Sequence, residues 1–482
     1  MEKKTDNKKE ITLTSSQQRA FDQFKDFIES DKKVFILKGY AGTGKTTLLN
    51  SFVEELKERE EVFKLLASTG RAAKIMRDRT GIPAATIHST IYTFADLNQN
   101  LDELFKNEKE QPKMDNTGQL LLNFEFNEVT DTTYKRCFYI VDEASMVGDV
   151  EEKNPSQALF GSGKLLNDLL RYDAKGKFVF VGDNCQLPPV SEKLSPALSS
   201  HYMEEVYHVS CEDAELNQIV RQATTNDIVK AAQKVRNLYK NPPPVKWPKF
   251  PLKGYNDIVV CPNQMEMVDR YIKDVKTYGY DYATMICESN RESIQLSNLI
   301  RPALGIQSKE VCVGDLLLVT QNNYISGLMN GDLVKVTQVA NSIQLAGFTF
   351  LYVEVEEMVS KRKASQLLIT DILYSNRTNL TQEQQKQLYL NYFFRMKDKG
   401  INQKSQRFKD GMLRDPYLNA LRATFGYAIT CHKSQGGEWN NVYLNIPRRL
   451  SCNAREPQYQ WLYTAMTRAS EKLFIVEEFH LC

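Results

Sequence analysis

The sequence predicts an α/β protein built on parallel sheets, and three short runs carry that prediction. Residues 34–37 (VFIL), 137–141 (CFYIV) and 178–181 (FVFV) are apolar without alternation, as strands covered on both faces must be. Each stops at a polar or glycine-bearing turn: Lys38-Gly39, Asp142-Glu143 and Gly182-Asp183. In open parallel sheets, ligands sit beyond the carboxyl ends of the strands. The three turns are therefore the first candidates for a shared site.

The first turn opens the run GYAGTGKT (39–46), G-x-x-x-x-G-K-T between an apolar strand and a helix-like stretch. That context is what a phosphate-holding loop requires. Gly39, Gly42 and Gly44 let backbone N–H groups turn inward, with Thr43 between them, and the following helix adds its positive end. Lys45 is expected to reach the β- and γ-phosphates of ATP, Thr46 to ligate Mg²⁺, and Thr47 to complete the cradle. The second run, RCFYIVDEASM (136–146), delivers two adjacent carboxylates. Asp142 suits a magnesium shell, and Glu143 suits orienting or deprotonating an attacking water. The third, FVFVGDNCQLPPV (178–190), sets Gln186 between a turn and two prolines. Its amide is expected to face the γ-phosphate. Pro188 and Pro189 stiffen the backbone, so a shift at Gln186 would pass to whatever packs beyond.

Composition narrows the class. The chain has 482 residues, 42% hydrophobic and 25% charged, which fits a soluble globular protein of two to four domains. Lys and Arg number 62 against 60 acids, a net charge of +2, so a polyanion must be met by a local groove. The nine cysteines show no C-x-x-C spacing, which argues against zinc and disulfides and for a reducing, cytoplasmic setting. No run has the length of a membrane span. The charged opening MEKKTDNKKE (residues 1–10) lacks an apolar core and reads as a disordered arm.

Taken in order, the motifs resemble those of superfamily 1 helicases. GYAGTGKT, VDEAS and VGDNCQLPPV match the first three. LNQIVRQ (216–222), TCHKSQGGEW (430–439) and YTAMTRA (463–469) match the fourth to sixth. STGRAAKIM (68–76) and TIHST (86–90) resemble segments that touch DNA, with Ser68 where the family has Pro. LTSSQQRAF (13–21) resembles the adenine-reading motif, with Gln17 as reader. The HKSQG and TG-x-AA forms look like the RecD/Dda-like branch (superfamily 1B). That resemblance implies two RecA-like P-loop domains with parallel sheets, a small insertion in the first and an SH3-like β-barrel insertion in the second. It implies ATP-driven movement on single-stranded DNA, 5′ to 3′, with duplex junctions as substrate and the protein a monomer. Arg221 and Arg468 are then arginine fingers, and Thr69, His88, Pro188, Thr430, His432 and Lys433 lie at the DNA. A translocase without unwinding, an RNA helicase and an ATP-gated clamp are the alternatives.

The boundaries expected are a first domain at 11–90 and 131–210, interrupted by a wedge candidate at 91–130. The second domain is expected at 211–330 and 421–482, with its insertion at 331–420. VCVGDLLLVTQNN (311–323) and NGDLVKVTQVA (330–340) read as strands between Gly-Asp and Asn-Gly turns. Residues 361–409 hold eleven basic residues against three acidic, with Tyr374, Tyr389, Tyr392, Phe393, Phe394 and Phe408 interleaved. Two readings stand here: a groove of phosphate-binding charges and base-stacking rings, or a solvated helix pair packed by its aromatics.

Overall fold

A computed structural model describes residues 13–98, 101, 121–131, 135–151, 158–220, 226–244, 248–446 and 455–482. The three apolar runs become β1 (Val34–Gly39), β6 (Cys137–Asp142) and β8 (Lys177–Gly182). Together with β2 (Val62–Ala67), β3 (Ala84–Thr86) and β9 (Cys211–Leu216) they form one sheet, ordered β3-β2-β6-β8-β1-β9. Every pairing in it is parallel. Val34, Phe35, Ile36 and Leu37 are fully buried, because helices cover both faces of the sheet. On one face the helices Ser15–Glu29 and Lys45–Glu58 bring Phe24 and Phe52 into a stack at 3.9 Å, with Phe35 edge-on beneath. β9 belongs to this sheet, so the first lobe reaches past the boundary expected at residue 210.

A second parallel sheet is built from β10 (Ile258–Cys261), β11 (Ala283–Cys287), β17 (Ala428–Thr430), β18 (Trp439–Leu444) and β19 (Ala469–Val476). Its order is β10-β19-β18-β11-β17. Between β11 and β17 the chain makes an antiparallel sheet of β12 (Leu316–Val319), β13 (Leu333–Leu345), β14 (Phe348–Glu357), β15 (Lys363–Ile369) and β16 (Ala423–Phe425). A bridge from Leu368 to Leu421 joins the two edges, so this sheet closes on itself as a barrel. β12 and β16 lie outside the 331–420 span expected for the insertion. In the first lobe, β4 (Tyr92–Leu97) and β5 (Leu122–Phe126) form the described part of the wedge candidate. Their third strand, β7 (Ala158–Phe160), comes from beyond 130.

The basic, aromatic segment folds as the helices Gln382–Asp398 and Gln406–Arg414. Tyr389, Tyr392, Phe393 and Phe408 are buried in the core these helices share with the barrel. Those four rings are packing groups, so the stacking-groove reading does not hold for them; Tyr374 stays exposed.

Candidate functional site

The phosphate loop joins β1 to the helix Lys45–Glu58. Gly42 and Gly44 both have φ of +77°, a conformation that costs a residue with a Cβ. A Cβ on Gly39 would lie 2.8 Å from Lys45 Cγ and 2.9 Å from Thr43 Oγ1. Lys45 Nζ donates to the carbonyls of Gly39 (2.7 Å) and Tyr40 (3.3 Å), and Thr43 Oγ1 also donates to Tyr40 (2.7 Å). Gln17 is buried behind the loop. Its Nε2 donates to the Thr43 carbonyl at 3.1 Å, and its Oε1 accepts from Thr14 N at 2.8 Å within a capping box. Thr46 and Thr47 follow in the first turn of the helix.

Asp142 ends β6 beside β8. Burial raises its pKa to about 6, the Glu143 carboxylate adds to the rise, and Lys45 and Arg79 oppose it. Its Oδ1 accepts from the Glu143 amide at 2.9 Å, and Glu143 itself sits in the left-handed region with φ of 51°. Ser68 Oγ donates to the Glu143 carbonyl at 3.1 Å, a bond that the family's proline at this position could not make. Arg79 reaches Thr46 Oγ1 (3.4 Å) and pairs with Glu438 of the second lobe (3.1 Å).

Gln186 lies in the loop after β8, and this loop is one place where the two lobes meet. Gln460 Nε2 donates to the Gln186 carbonyl at 2.7 Å. The Leu187 amide donates to Thr464 Oγ1 at 2.9 Å, and Gln435 Nε2 donates to the Leu187 carbonyl at 3.3 Å. Gln460, Tyr463 and Thr464 share one face of the helix Arg455–Met466. Tyr463 Oη donates to Asp183 Oδ2 at 2.7 Å and accepts from the Ala41 amide of the phosphate loop at 3.0 Å. Gln186 Oε1 is buried and has no hydrogen-bond partner among the described residues. The loop stiffened by Pro188 and Pro189 therefore packs directly against a second-lobe helix.

Arg468 is buried, with Nε donating to the Thr464 carbonyl (3.1 Å) and Nη1 to Gly437 (3.3 Å). Arg221 lies outside the described residues. The segment leading to it crosses the phosphate loop, because the Val220 amide donates to the Gly42 carbonyl at 2.9 Å.

Thr69 caps the helix Gly70–Thr80 by accepting from the Ala72 amide. His88 is held by Phe160 at 5.0 Å and Tyr92 at 5.7 Å, and burial lowers its pKa to about 4, so it is neutral at pH 7. Thr430 is buried at the end of β17, His432 is exposed on the next turn, and Lys433 is half-buried beside it. Pro188 is half-buried in the loop between the lobes.

Sequence reasoning missed Tyr463, Gln460, Thr464 and Arg79. It also missed Arg71, whose guanidinium stacks at 4.3 Å on Trp439 of the second lobe. A helical i, i+3, i+4 spacing marks Gln460, Tyr463 and Thr464, but nothing local points to partners some 270 to 420 residues away.

Comparison with known proteins agrees with this arrangement. The AAA domain model matches residues 12–240, and the UvrD-like helicase C-terminal domain model matches residues 425–476; together they span more than half of the chain. The chain is 23% identical to the ATP-dependent DNA helicase dda of Enterobacteria phage T4, over 96% of this chain and 99% of that one. It is 23% identical to the ATP-dependent RecD2 DNA helicase of Deinococcus radiodurans over 92% of its own length, and spans 46% of that longer protein. A crystal structure of Pif1 helicase from Bacteroides in complex with ADP-AlF3 and ssDNA shares the fold, with a TM-score of 0.50 at 16% identity. The match covers 97% of this chain and 93% of that one. No described helix is long and apolar enough to cross a membrane. In the order of its motifs, its paired parallel sheets and these matches, the chain is similar to the superfamily 1 helicases of the RecD/Dda-like branch.

Proposed function

We propose that this chain is an ATP-driven DNA helicase that moves 5′ to 3′ along single-stranded DNA and opens the duplex ahead of it. The observation that carries the reading is the loop Asp183–Leu187. It ends a strand beside the phosphate loop, yet second-lobe side chains hold its backbone. A change at the phosphates there has a short route to the other lobe.

The residues fit a magnesium nucleotide. Gly42 and Gly44 already hold the cradle's left-handed turns, and Asp142 carries a carboxylate whose burial a cation would offset. Bound magnesium supplies charge neutralisation at the phosphate oxygens. Thr46 and Asp142 are the residues to hold it, and Lys45 adds its charge at the β- and γ-phosphates. Glu143 orients the attacking water and accepts its proton, and the Gln186 amide senses the terminal phosphate. Arg468 and Arg221 add positive charge as the lobes close, Arg468 exchanging its carbonyl partners for phosphate oxygens. Thr69, His88, Pro188, Thr430, His432 and Lys433 line the path assigned to the strand. His88 serves it as a neutral ring.

Lys45→Ala and Glu143→Gln are expected to reduce DNA-stimulated ATP hydrolysis by about 10²-fold or more. A Lys45→Ala variant with wild-type turnover removes the site. Unwinding of tailed duplexes tests the rest: activity on 5′-tailed DNA and none on 3′-tailed DNA or on RNA is expected. Activity confined to 3′ tails overturns the direction.

A further inference from the structure

We propose that Tyr463 is a positioning residue that couples the phosphate loop to the second lobe, its hydroxyl holding the loop until nucleotide takes its place. The inference rests on the motor reading above and adds a residue and a role to it.

The hydroxyl of Tyr463 is used in both directions. It accepts from the Ala41 amide and donates to Asp183 Oδ2. Tyr463 and Asp183 are each only 1% exposed, so no competition from bulk solvent weakens the pair. Asp183 Oδ1 accepts from the Cys185 amide at 2.9 Å, and the Asp183 carbonyl accepts from the Gln186 amide at 3.1 Å. One hydroxyl thus ties the loop that receives phosphate to the turn that carries Gln186. The same helical face continues the grip. Gln460 holds the Gln186 carbonyl, and Thr464 holds the Leu187 amide while donating to the Gln460 carbonyl at 2.8 Å.

Inward-turned amides of this loop are the natural partners of phosphate oxygens. In this structure the Ala41 amide is spent on a residue of the other lobe. A nucleotide that recruits it must displace the Tyr463 hydroxyl. The displaced hydroxyl keeps Asp183 as its acceptor, so the helix Arg455–Met466 shifts its hold from the phosphate loop to the sensor turn. Nucleotide binding and lobe contact then compete for one hydrogen bond, and a competing contact of that kind converts occupancy into movement.

The test uses the full chain and a fluorescent ADP analogue with Mg²⁺, with ATP hydrolysis followed with and without oligo(dT). Tyr463→Phe frees the Ala41 amide, so ADP is expected to bind about 2- to 10-fold more tightly, the worth of one neutral hydrogen bond. DNA stimulation of hydrolysis is expected to fall several-fold in the same variant. A merely structural role predicts weaker binding. Wild-type or weaker ADP affinity, in a variant that melts as the wild type does, overturns the proposal. Tighter ADP binding with stimulation intact overturns the coupling. If Tyr463→Phe does not fold, Thr464→Val decides: it leaves Tyr463 and Ala41 in place, so ADP affinity should hold while DNA stimulation falls, and undiminished stimulation overturns the proposal. Absence of any DNA stimulation in the wild type would instead sink the motor reading, and the ADP arm would still judge Tyr463.

Discussion

Two of the contacts between the first lobe and the rest of the molecule are built from opposite chemistry. At the phosphate loop the bonds to the second lobe are mostly neutral: a phenol, two amides and a hydroxyl against backbone groups. At the helix Gly70–Thr80 the bond is ionic and buried. Lys74 Nζ lies 2.5 Å from Asp332 and 3.6 Å from Glu357 of the barrel, and Met329 packs so closely on Gly70 that a Cβ there would be 2.0 Å from its sulfur. Neutral bonds to backbone can be exchanged for bonds to phosphate at small net cost, whereas parting a buried ion leaves a charge without solvent. The cleft contact is the cheaper of the two to exchange, and the barrel contact the costlier to break.

Removing the ammonium is the strongest way to break that contrast. Asp332 and Glu357 are 1% and 2% exposed at the side chain. Burial raises the Asp332 pKa against the pull of Lys74. At Glu357 burial also works upward, but Ser360 and Lys74 outweigh it and the pKa falls. Lys74→Met strands both carboxylates, and a loss of about 3 kcal/mol or more in unfolding free energy is expected by denaturant titration. The deficit should shrink as pH falls and the stranded acids protonate. A variant as stable as the wild type at pH 7.5 would show that this ion pair is not where the stability lies.

Asp142 sharpens the contrast from the cleft side, because burial disfavours its carboxylate and it has no ion-pair partner among the described residues. Its raised pKa means that ionisation costs folded-state stability. That cost is complete above about pH 6 and absent below the unfolded value of 3.8. Asp142→Asn should therefore stabilise the nucleotide-free protein by about 1–3 kcal/mol at pH 7.5, with the gain fading between pH 6 and 4. Thermal melts across that range check it. The same variant should lose magnesium-dependent nucleotide binding, a stability gain bought with function.

What could be read in the sequence divides along the same line. β1, β6 and β8 announce themselves because a strand covered on both faces must be apolar throughout. β9 (CEDAEL) hides because it is the edge of the sheet. Its acids face lysines and solvent, as Asp213 does Lys38 at 2.5 Å, so it lacks the apolar signal. The rings at 389, 392 and 393, with Met396, recur at helical spacing, but the sequence leaves packing and stacking on DNA both open, and burial of the rings decides for packing. Composition alone names the groups and not the face they occupy. The glycines of the loop are legible because local geometry demands them, whereas Ser68 and Thr69 stand out only through the family resemblance. Tyr463 is not, since its two partners come from distant turns and its own neighbours look like any amphipathic helix.

Arg79 stands between the two regions and gives the smallest and most discriminating test. Its guanidinium reaches Thr46 Oγ1 and pairs with Glu438 across the lobes, but both partners of the ion pair are about half exposed, at 46% and 55%. Solvent screens such a pair, so Arg79→Ala should change unfolding free energy by less than about 1 kcal/mol. The Thr46 hydroxyl is the atom assigned to magnesium, and a positive guanidinium beside it works against a second cation. With Arg79 removed, the magnesium concentration needed for half-maximal binding of fluorescent ADP should fall by about 2- to 5-fold, most clearly at low salt. A rise instead would place Arg79 among the groups that hold the phosphates. The cleft would then close on charge as the barrel contact does, and the contrast between the two regions would be lost.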